Sequence, residues 1–325
     1  MCTASTFKSK DFYCGRTLDN EFSYHEQVVV VPRNFLFNFR HCGEMKHHLA
    51  IVGMAFVQQG YPLFYDGVNE CGVSMMGLNF PGNAVYNDEL VSGKDNVAQF
   101  ELLPWILAQC KSVLDVRKLL ADINILSESF SVQLPSAQLH WMIADKDECI
   151  VLECMRDGMK IYDNPVGVMT NNPPFYYHLT NLNNYLNLSP DQVPNTFSTN
   201  VQLSSYCKGM GAIGLPGDLS SASRFVRASF VRNNLVCGED EKSAVSGVFH
   251  ILGSVDQQKG ANRLDVDMYE MTIYTSCMNA TKGIYYYNTY DNHQINGVDM
   301  HRENLDSDQL IAYDLATKNN IHMHN

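Results

Sequence analysis

The sequence predicts an α+β fold in which antiparallel sheets are covered by helices. Runs of β-branched and apolar residues recur through the first 80 residues and again near both 140–170 and 271–300. Two separate stretches between these runs have the apolar spacing of helices. Neither an internal repeat nor a clear linker divides the 325 residues, so we expect a single domain over residues 1–325.

The first half of the chain is predicted to form strands and then helices. Consecutive valines before Pro32 predict a strand at 27–33, and another strand is predicted at 49–56. The segments 63–67 and 72–77 flank a turn and predict a hairpin.

From 98 to 120 the apolar spacing becomes that of buried helix faces. Pro104 is expected in a first turn or at a kink. The loop that follows, 127–135, carries the apolar residues Phe130, Val132 and Leu134 in an exposed context.

The second half begins with further strands and ends with them. The predicted strands before residue 171 are 138–144, 149–153, 159–162 and 167–170. The segment 171–206 is rich in Asn, Pro, Ser and Tyr, and we interpret it as a long excursion that forms a subunit contact rather than core. Helices are predicted over 220–235, with serine N-caps, and over 241–252. The final predicted strands are 271–277, 283–289 and 294–300.

Charge and cysteine usage exclude several functional classes. The formal net charge of −12 is opposite to the basic surface that nucleic acids or anionic membranes require, so neither partner is expected. No run approaches the ~20 apolar residues of a membrane span, and no secretory signal is present, which predicts a cytoplasmic protein. The ten cysteines form no CxxC pair and indicate reduced thiols.

No cofactor or metal site is predicted. The GxGxxG pattern at 209–214 matches a dinucleotide-binding fingerprint, but it leads into Leu-Pro-Gly-Asp, which does not continue as a helix. The histidine pairs His47-His48 and His322 with His324 do not present two ligands on one helical face.

The first nineteen residues contain a candidate catalytic group. Removal of Met1 would leave Cys2 with a thiol and a free α-amino group on one residue, and both groups titrate not far from neutral pH. Arg16 and Asp19 follow closely and could supply a cation for the thiolate and a carboxylate for the amine. An ordinary Met-Cys start followed by surface residues is the alternative that this terminus alone leaves open.

Several separated segments together resemble the choloylglycine hydrolase family of N-terminal nucleophile hydrolases, which contains bile salt hydrolases and penicillin V acylases. They occur in order through the chain, at 1–3, 15–19, 77–81, 139–142, 170–173, 215–225 and 274–288. The resemblance implies a four-layer αββα sandwich of two antiparallel sheets between helical layers, assembled as a homotetramer.

The resemblance also implies the catalytic residues. The nucleophile falls on Cys2, exposed by removal of Met1, and the other positions fall on Arg16, Asp19, Asn79, Asn171 and Arg224. The α-amino group of Cys2 would act as the base, oriented by Asp19. The two asparagines would donate N–H groups to the oxyanion, and the two arginines would add positive potential around the thiol.

By the same resemblance, an apolar acyl site is lined by Leu18, Tyr24, Tyr65, Phe130 and Leu134. Asn79 favours a bile salt hydrolase, because bile salt hydrolases resemble one another in having Asn at this position, whereas many penicillin V acylases have Tyr. The expected reaction is cleavage of glycine- or taurine-conjugated bile salts through a thioester acyl-enzyme. The alternatives are a penicillin V acylase or other N-acyl amide amidohydrolase, and a noncatalytic ligand-binding member of the fold.

Overall fold

Two antiparallel sheets lie face to face at the centre of the computed structural model, which describes residues 1–319 and 321–325. The smaller sheet has the strand order β14 (Val168–Met169), β1 (Cys2–Lys8), β2 (Phe12–Asn20), β17 (Met271–Asn279), β18 (Ile284–Thr289), β19 (Asn296–Asp299). The larger sheet has the order β13 (Gly158–Asp163), β12 (Cys149–Met155), β11 (Leu139–Ala144), β8 (Ser74–Asn79), β7 (Tyr61–Asn69), β6 (Ile51–Gln58), β3 (Gln27–Val31), β20 (Ile311–Asp314).

Three smaller strand pairs, five α-helices and four short 3-10 helices complete the secondary structure of the described residues. The pairs are β4 (Phe37–Phe39) with β5 (Gly43–Met45), β9 (Asp95–Ala98) in parallel with β10 (Ile123–Leu126), and β15 (Arg263–Asp265) with β16 (Met268–Tyr269). The helices are α1 (Leu102–Gln109), α2 (Val113–Ala121), α3 (Phe175–Asn181), α4 (Ser221–Asn234) and α5 (Glu241–Gly253). Within this described part, no helix has both the length and the apolar character needed to cross a bilayer.

The valines of β3 show how the layers are built. Val28 and Val30 pack between the two sheets, whereas Val29 and Val31 pack toward α1 and α2 on the opposite face. On the outer face of the smaller sheet, α5 covers Tyr13 and other buried side chains. The order of layers is therefore helix, sheet, sheet, helix, which confirms the predicted α+β sandwich.

The structure confirms most predicted strands and helices and divides one of them. The helical pattern at 98–120 is split, because Cys110 leaves the helix in an extended conformation and Ser112 caps α2 by accepting from the N–H of Asp115. Pro104 lies in the first turn of α1, where its missing N–H removes no helical bond.

The excursion predicted at 171–206 begins inside the core rather than outside it. Asn171, Phe175 and His178 are all buried, and the last two lie on α3. The prediction that this segment avoids the core is therefore wrong for its first part. A seven-residue helix is too short to produce a clear period in the sequence.

Candidate functional site

Cys2 is the first residue of β1, in the interior of the smaller sheet. Cys2 pairs with Leu18 on the neighbouring strand β2 and is only 1% exposed. Gly15 shows how tightly β2 packs on β17, since a Cβ atom at Gly15 would lie 2.2 Å from the backbone oxygen of Ser276. This close approach accounts for the glycine that precedes Arg16 in the opening segment.

Arg16 forms a hydrogen bond with the Cys2 thiol. Its Nη2 donates to the Cys2 sulfur at 2.7 Å, and its Nη1 donates to the backbone oxygens of Gly77 at 2.6 Å and Tyr65 at 3.2 Å. Tyr65 and Gly77 belong to the larger sheet, so one side chain joins both sheets at the Cys2 thiol. A buried guanidinium at this distance stabilises negative charge on sulfur.

A carboxylate that the sequence analysis missed lies beneath Arg16. Asp66 is fully buried and accepts from the hydroxyls of Tyr274 at 2.7 Å and Tyr285 at 2.6 Å, with Arg16 Nε 4.0 Å away. Burial raises the pKa of Asp66, while Arg16 and the two hydroxyls oppose that rise. An acidic residue inside the apolar strand 63–67, with tyrosines in the segment 274–288, was the available signal.

Asp19 is buried beside the start of β1 and is oriented by two threonines. Its carboxylate accepts from Thr272 Oγ1 at 2.7 Å and Thr17 Oγ1 at 3.2 Å. Burial raises the Asp19 pKa, and the charge of Arg224 opposes this. The amino group of Met1 donates to the Asp19 backbone oxygen at 2.8 Å and forms an ion pair with Glu270.

Asn171 and Arg224 contact the backbone of Cys2. The Cys2 N–H donates to Asn171 Oδ1 at 2.8 Å, and Arg224 donates to that same oxygen at 2.8 Å and to the Cys2 carbonyl at 2.6 Å. Asn171 Nδ2 in turn donates to the backbone oxygen of Asn79 at 2.7 Å. Arg224 therefore lies behind the Cys2 backbone rather than against its sulfur.

A cavity of about 370 Å³ opens above the thiol. Four of the six predicted catalytic residues, Cys2, Arg16, Asp19 and Asn79, line it, whereas Asn171 and Arg224 do not. The five residues expected at the acyl site all line it too: Leu18, Tyr24, Tyr65, Phe130 and Leu134. Further apolar lining residues were not predicted, namely Phe56, Leu63, Phe64, Phe100 and Leu139.

The loop that carries Phe130 and Leu134 is held in place by Arg40. The Arg40 guanidinium donates to the backbone oxygens of Ser129 at 2.6 Å and Phe130 at 2.7 Å, and it lies 4.7 Å from the ring centre of Phe100. Phe130 packs edge-on against Phe100 at 5.3 Å. The exposed context of the loop's apolar residues is thus explained for Phe130 and Leu134, which line the cavity.

The arrangement suits nucleophilic attack on an acyl group by a thiolate. Within residues 1–319 and 321–325, no group of three or more His, Cys, Asp or Glu side chains is placed to hold a metal ion. The chemistry that these residues can supply is a sulfur nucleophile, a backbone nitrogen beside it, and the amide of Asn79 at the same cavity.

Comparison with known proteins supports this interpretation. Residues 2–313 match the family described as linear amide C–N hydrolases, choloylglycine hydrolase family. A bile salt hydrolase/transferase of Lactiplantibacillus plantarum is 50% identical over 318 residues, which cover 98% of each chain. A bile salt hydrolase/transferase of Clostridium perfringens is 39% identical over 96% of each chain.

Solved structures give the same result at the level of the fold. The C2A mutant of the conjugated bile acid hydrolase from Clostridium perfringens superposes with a TM-score of 0.92, at 37% identity and over 100% of both chains. The penicillin V acylase of Agrobacterium tumefaciens superposes with a TM-score of 0.74, over 97% of this chain and 92% of the acylase. At 18% identity, the second likeness concerns the fold alone.

Proposed function

Because the chain belongs to the choloylglycine hydrolase family of linear amide C–N hydrolases, we propose that it cleaves the amide bond of glycine- or taurine-conjugated bile salts. The observation that carries this proposal is the apolar cavity that ends at the Cys2 thiol. A steroid acyl group would be stabilised there by roughly 25 cal/mol for each Å² of apolar surface removed from water.

The proposed nucleophile is the Cys2 thiolate, formed after Met1 has been removed. The new α-amino group takes the thiol proton, and the sulfur attacks the amide carbonyl carbon. When the tetrahedral intermediate collapses, the carbon–nitrogen bond breaks and the same ammonium group returns the proton to the leaving amine. Glycine or taurine departs, and the bile acid remains as a thioester on Cys2.

Hydrolysis of the thioester repeats these steps with water. The α-amino group takes a proton from water, hydroxide attacks the thioester carbon, and the bile acid leaves as the thiolate is restored. Asp19 is proposed to orient the amine, because its buried carboxylate lies next to the segment that carries Cys2. Arg16, which donates to the sulfur at 2.7 Å, would stabilise the thiolate in both halves of the reaction.

Asn79 and Asn171 are the proposed oxyanion donors. The Asn79 side chain lines the cavity, and Asn171 Nδ2 uses one N–H for the Asn79 carbonyl, which leaves its second N–H available. Loss of one such donor typically costs about 2.7–4 kcal/mol of transition-state stabilisation. Arg224 would fix Asn171 and the Cys2 carbonyl, since it donates to both.

We propose in addition that the protein works as a cytoplasmic homotetramer. Its ten cysteines are all free thiols, which suits a reducing compartment. The segment after α3 exposes large apolar side chains, with Leu186, Phe197 and Tyr206 each at least 80% exposed. Such a concentration of apolar surface is typical of a subunit contact.

Purified protein should first be checked by intact mass for the loss of Met1, and then assayed with glycocholate, taurocholate and penicillin V. We expect release of glycine or taurine from the bile salts and slower cleavage of penicillin V. Cys2→Ala should abolish release, whereas Cys71→Ala, which removes an exposed thiol, should leave it unchanged.

Faster cleavage of penicillin V by orders of magnitude would replace the bile salt assignment with a penicillin acylase. Binding of bile salts with no release by the Met-free chain would indicate a noncatalytic ligand-binding protein. Protein that retains Met1 should be inactive, because its backbone nitrogen at Cys2 is an amide and cannot accept a proton.

A further inference from the structure

Three buried polar residues lie behind Asn171 and take no part in the steps above. They are His140 on β11, Glu153 on β12 and His178 on α3, and none is more than 1% exposed. Polar side chains this deeply buried are costly to the fold unless their hydrogen bonds are satisfied, so their contacts indicate what they hold.

His140 contacts the peptide group that precedes Asn171. Its Nε2 lies 2.8 Å from the backbone oxygen of Thr170, and its Nδ1 lies 3.0 Å from Glu153 Oε1. A carbonyl oxygen only accepts, so Nε2 must carry a hydrogen.

His178 contacts the peptide group that follows the Asn171 Cα. Its Nε2 lies 2.9 Å from the backbone oxygen of Asn171 itself, so this nitrogen is also a donor. Burial lowers the pKa of His178 to about 4. The ring is therefore neutral near pH 7, with its hydrogen fixed on Nε2.

These two carbonyls belong to the two peptide planes on either side of the Asn171 Cα. The first plane is held again where the Asn171 N–H donates to Ser221 Oγ at 2.8 Å. With both planes fixed, the backbone dihedrals of Asn171 are fixed too, and so is the direction in which its side chain leaves the backbone. That side chain bridges Cys2, Arg224 and Asn79.

Each imidazole is oriented by an aromatic ring next to a site residue. His140 stacks on Phe80 with ring centres 4.3 Å apart and planes within 3°, and Phe80 follows Asn79. His178 stacks on Phe225 at 4.9 Å, and Phe225 follows Arg224. The two rings thus connect Asn171 with the segments that carry Asn79 and Arg224.

We propose that His140 and His178 are positioning residues that aim the Asn171 side-chain amide at the oxyanion. This inference rests on the function proposed above. Neither ring lines the cavity or touches the nucleophile, so the effect of each passes through the peptide that it holds.

The test compares two substitutions of His178. His178→Gln can place an amide N–H near the position of Nε2, whereas His178→Phe removes the donor and keeps a planar ring. We expect His178→Phe to lower kcat for glycocholate at least tenfold with KM changed less than threefold, and His178→Gln to retain at least a third of kcat. Alkylation of Cys2 by iodoacetamide, followed on the N-terminal peptide by mass spectrometry, should proceed at the wild-type rate in both.

A purely structural role makes different predictions. If both variants lose activity equally, or if Cys2 alkylation slows in parallel with kcat, the donor to Asn171 does not position the oxyanion site. A His178→Phe variant with wild-type kcat would overturn the proposal as well. Thermal melting of both variants shows whether a loss of folding accounts for any of these outcomes.

A failure of the proposed function can be distinguished from a failure of the positioning role. Wild-type protein that releases no glycine or taurine contradicts the bile salt assignment, and crystal structures of the two variants then test the inference without turnover. The distance from Asn171 Oδ1 to the Cys2 nitrogen should stay near 2.8 Å in His178→Gln and lengthen in His178→Phe. An unchanged distance in both would refute the positioning role.

Discussion

One guanidinium, that of Arg16, connects the proposed nucleophile to both sheets of the sandwich. It donates to the Cys2 sulfur, to two carbonyls of the larger sheet, and lies next to the buried Asp66. Removing one partner of a buried ion pair leaves the other without compensation, which is more damaging than replacing both. The stability and the chemistry of the site therefore depend on the same side chain.

We expect Arg16→Met to be inactive. Its free energy of unfolding should be about 3 kcal/mol lower than that of wild type, because Asp66 remains buried without its cation. Adding Asp66→Asn to this variant should recover part of the stability and none of the activity. Urea unfolding and glycine release from glycocholate measure the two effects. Equal stability of Arg16→Met and the double variant would show that Asp66 is not held by Arg16.

The pH dependence of stability should contain a contribution from His178. Its folded pKa of about 4 lies below the value of about 6.5 for an unfolded histidine. Between these pH values the unfolded chain binds a proton that the folded chain does not. The contribution of His178 to the free energy of unfolding is therefore complete above pH 6.5 and is lost as the pH falls toward 4. The difference amounts to roughly 3 kcal/mol.

Urea titrations at a series of pH values check this expectation. The fall in unfolding free energy from pH 7 to 4 should be smaller in His178→Gln than in wild type. His293→Gln, at an exposed position, serves as the control and should follow wild type. A wild-type slope in His178→Gln would mean that His178 does not titrate in this way.

At the residue scale, the sequence predicted the proposed site by its resemblance to a family, and the structure brings those residues together. Asp66, His178 and Glu153 were missed because their partners come from strands and helices far away in sequence. An acidic residue in an apolar strand signals that Asp66 is unusual, but it does not show which distant side chains contact the carboxylate. The partners become evident only when the sheets are packed.

Among the elements, the loop after β10 contributes Phe130 and Leu134 to the lining of the cavity. Its backbone is held by Arg40, whose donors reach the carbonyls of Ser129 and Phe130. The sequence identified the apolar residues of this loop, but it could not identify a clamp some 90 residues earlier in the chain. Long-range contacts of this kind leave no periodic signal.

We expect Arg40→Met to raise KM for conjugated bile salts several-fold with kcat within twofold of wild type. The loop would lose two hydrogen bonds that position Phe130, while the residues around Cys2 are untouched. Steady-state kinetics measures the change, with Arg302→Met as a control, since Arg302 is 84% exposed and forms an ion pair with nearby Asp299. A fall in kcat at constant KM would mean that this loop acts on the chemistry and not on binding.

The whole molecule places its proposed chemistry where the two sheets meet. Cys2, Arg16 and Asp19 come from the smaller sheet, Asn79 from the end of β8 in the larger sheet, and Asn171 follows β14. The sequence predicted most of the longer strands and helices after residue 27, but it did not predict β1 and β2 as strands or their place in the interior of a sheet. Strand order depends on contacts such as that of Gly15 with Ser276.

Assembly is testable at the same scale. Phe197→Ser combined with Tyr206→Ser should reduce the proposed tetramer to a smaller species, because both side chains are at least 80% exposed in the segment proposed to form subunit contacts. Light scattering coupled to gel filtration measures the mass. Val236→Ser removes an equally exposed side chain outside that segment and should leave the mass unchanged. An unaltered mass in the double variant would place the contact elsewhere.

The exposed segment near Phe197 also divides the proposed machinery into two parts. Cys2, Arg16, Asp19, Asn79 and Asn171 precede it, whereas Arg224 and the strand β17, which pairs with β2 in the middle of the sheet, follow it. Two polypeptides produced from a gene cut at this segment would each be incompetent alone. Neither half would carry the complete set of site residues, so turnover would require the two polypeptides to associate.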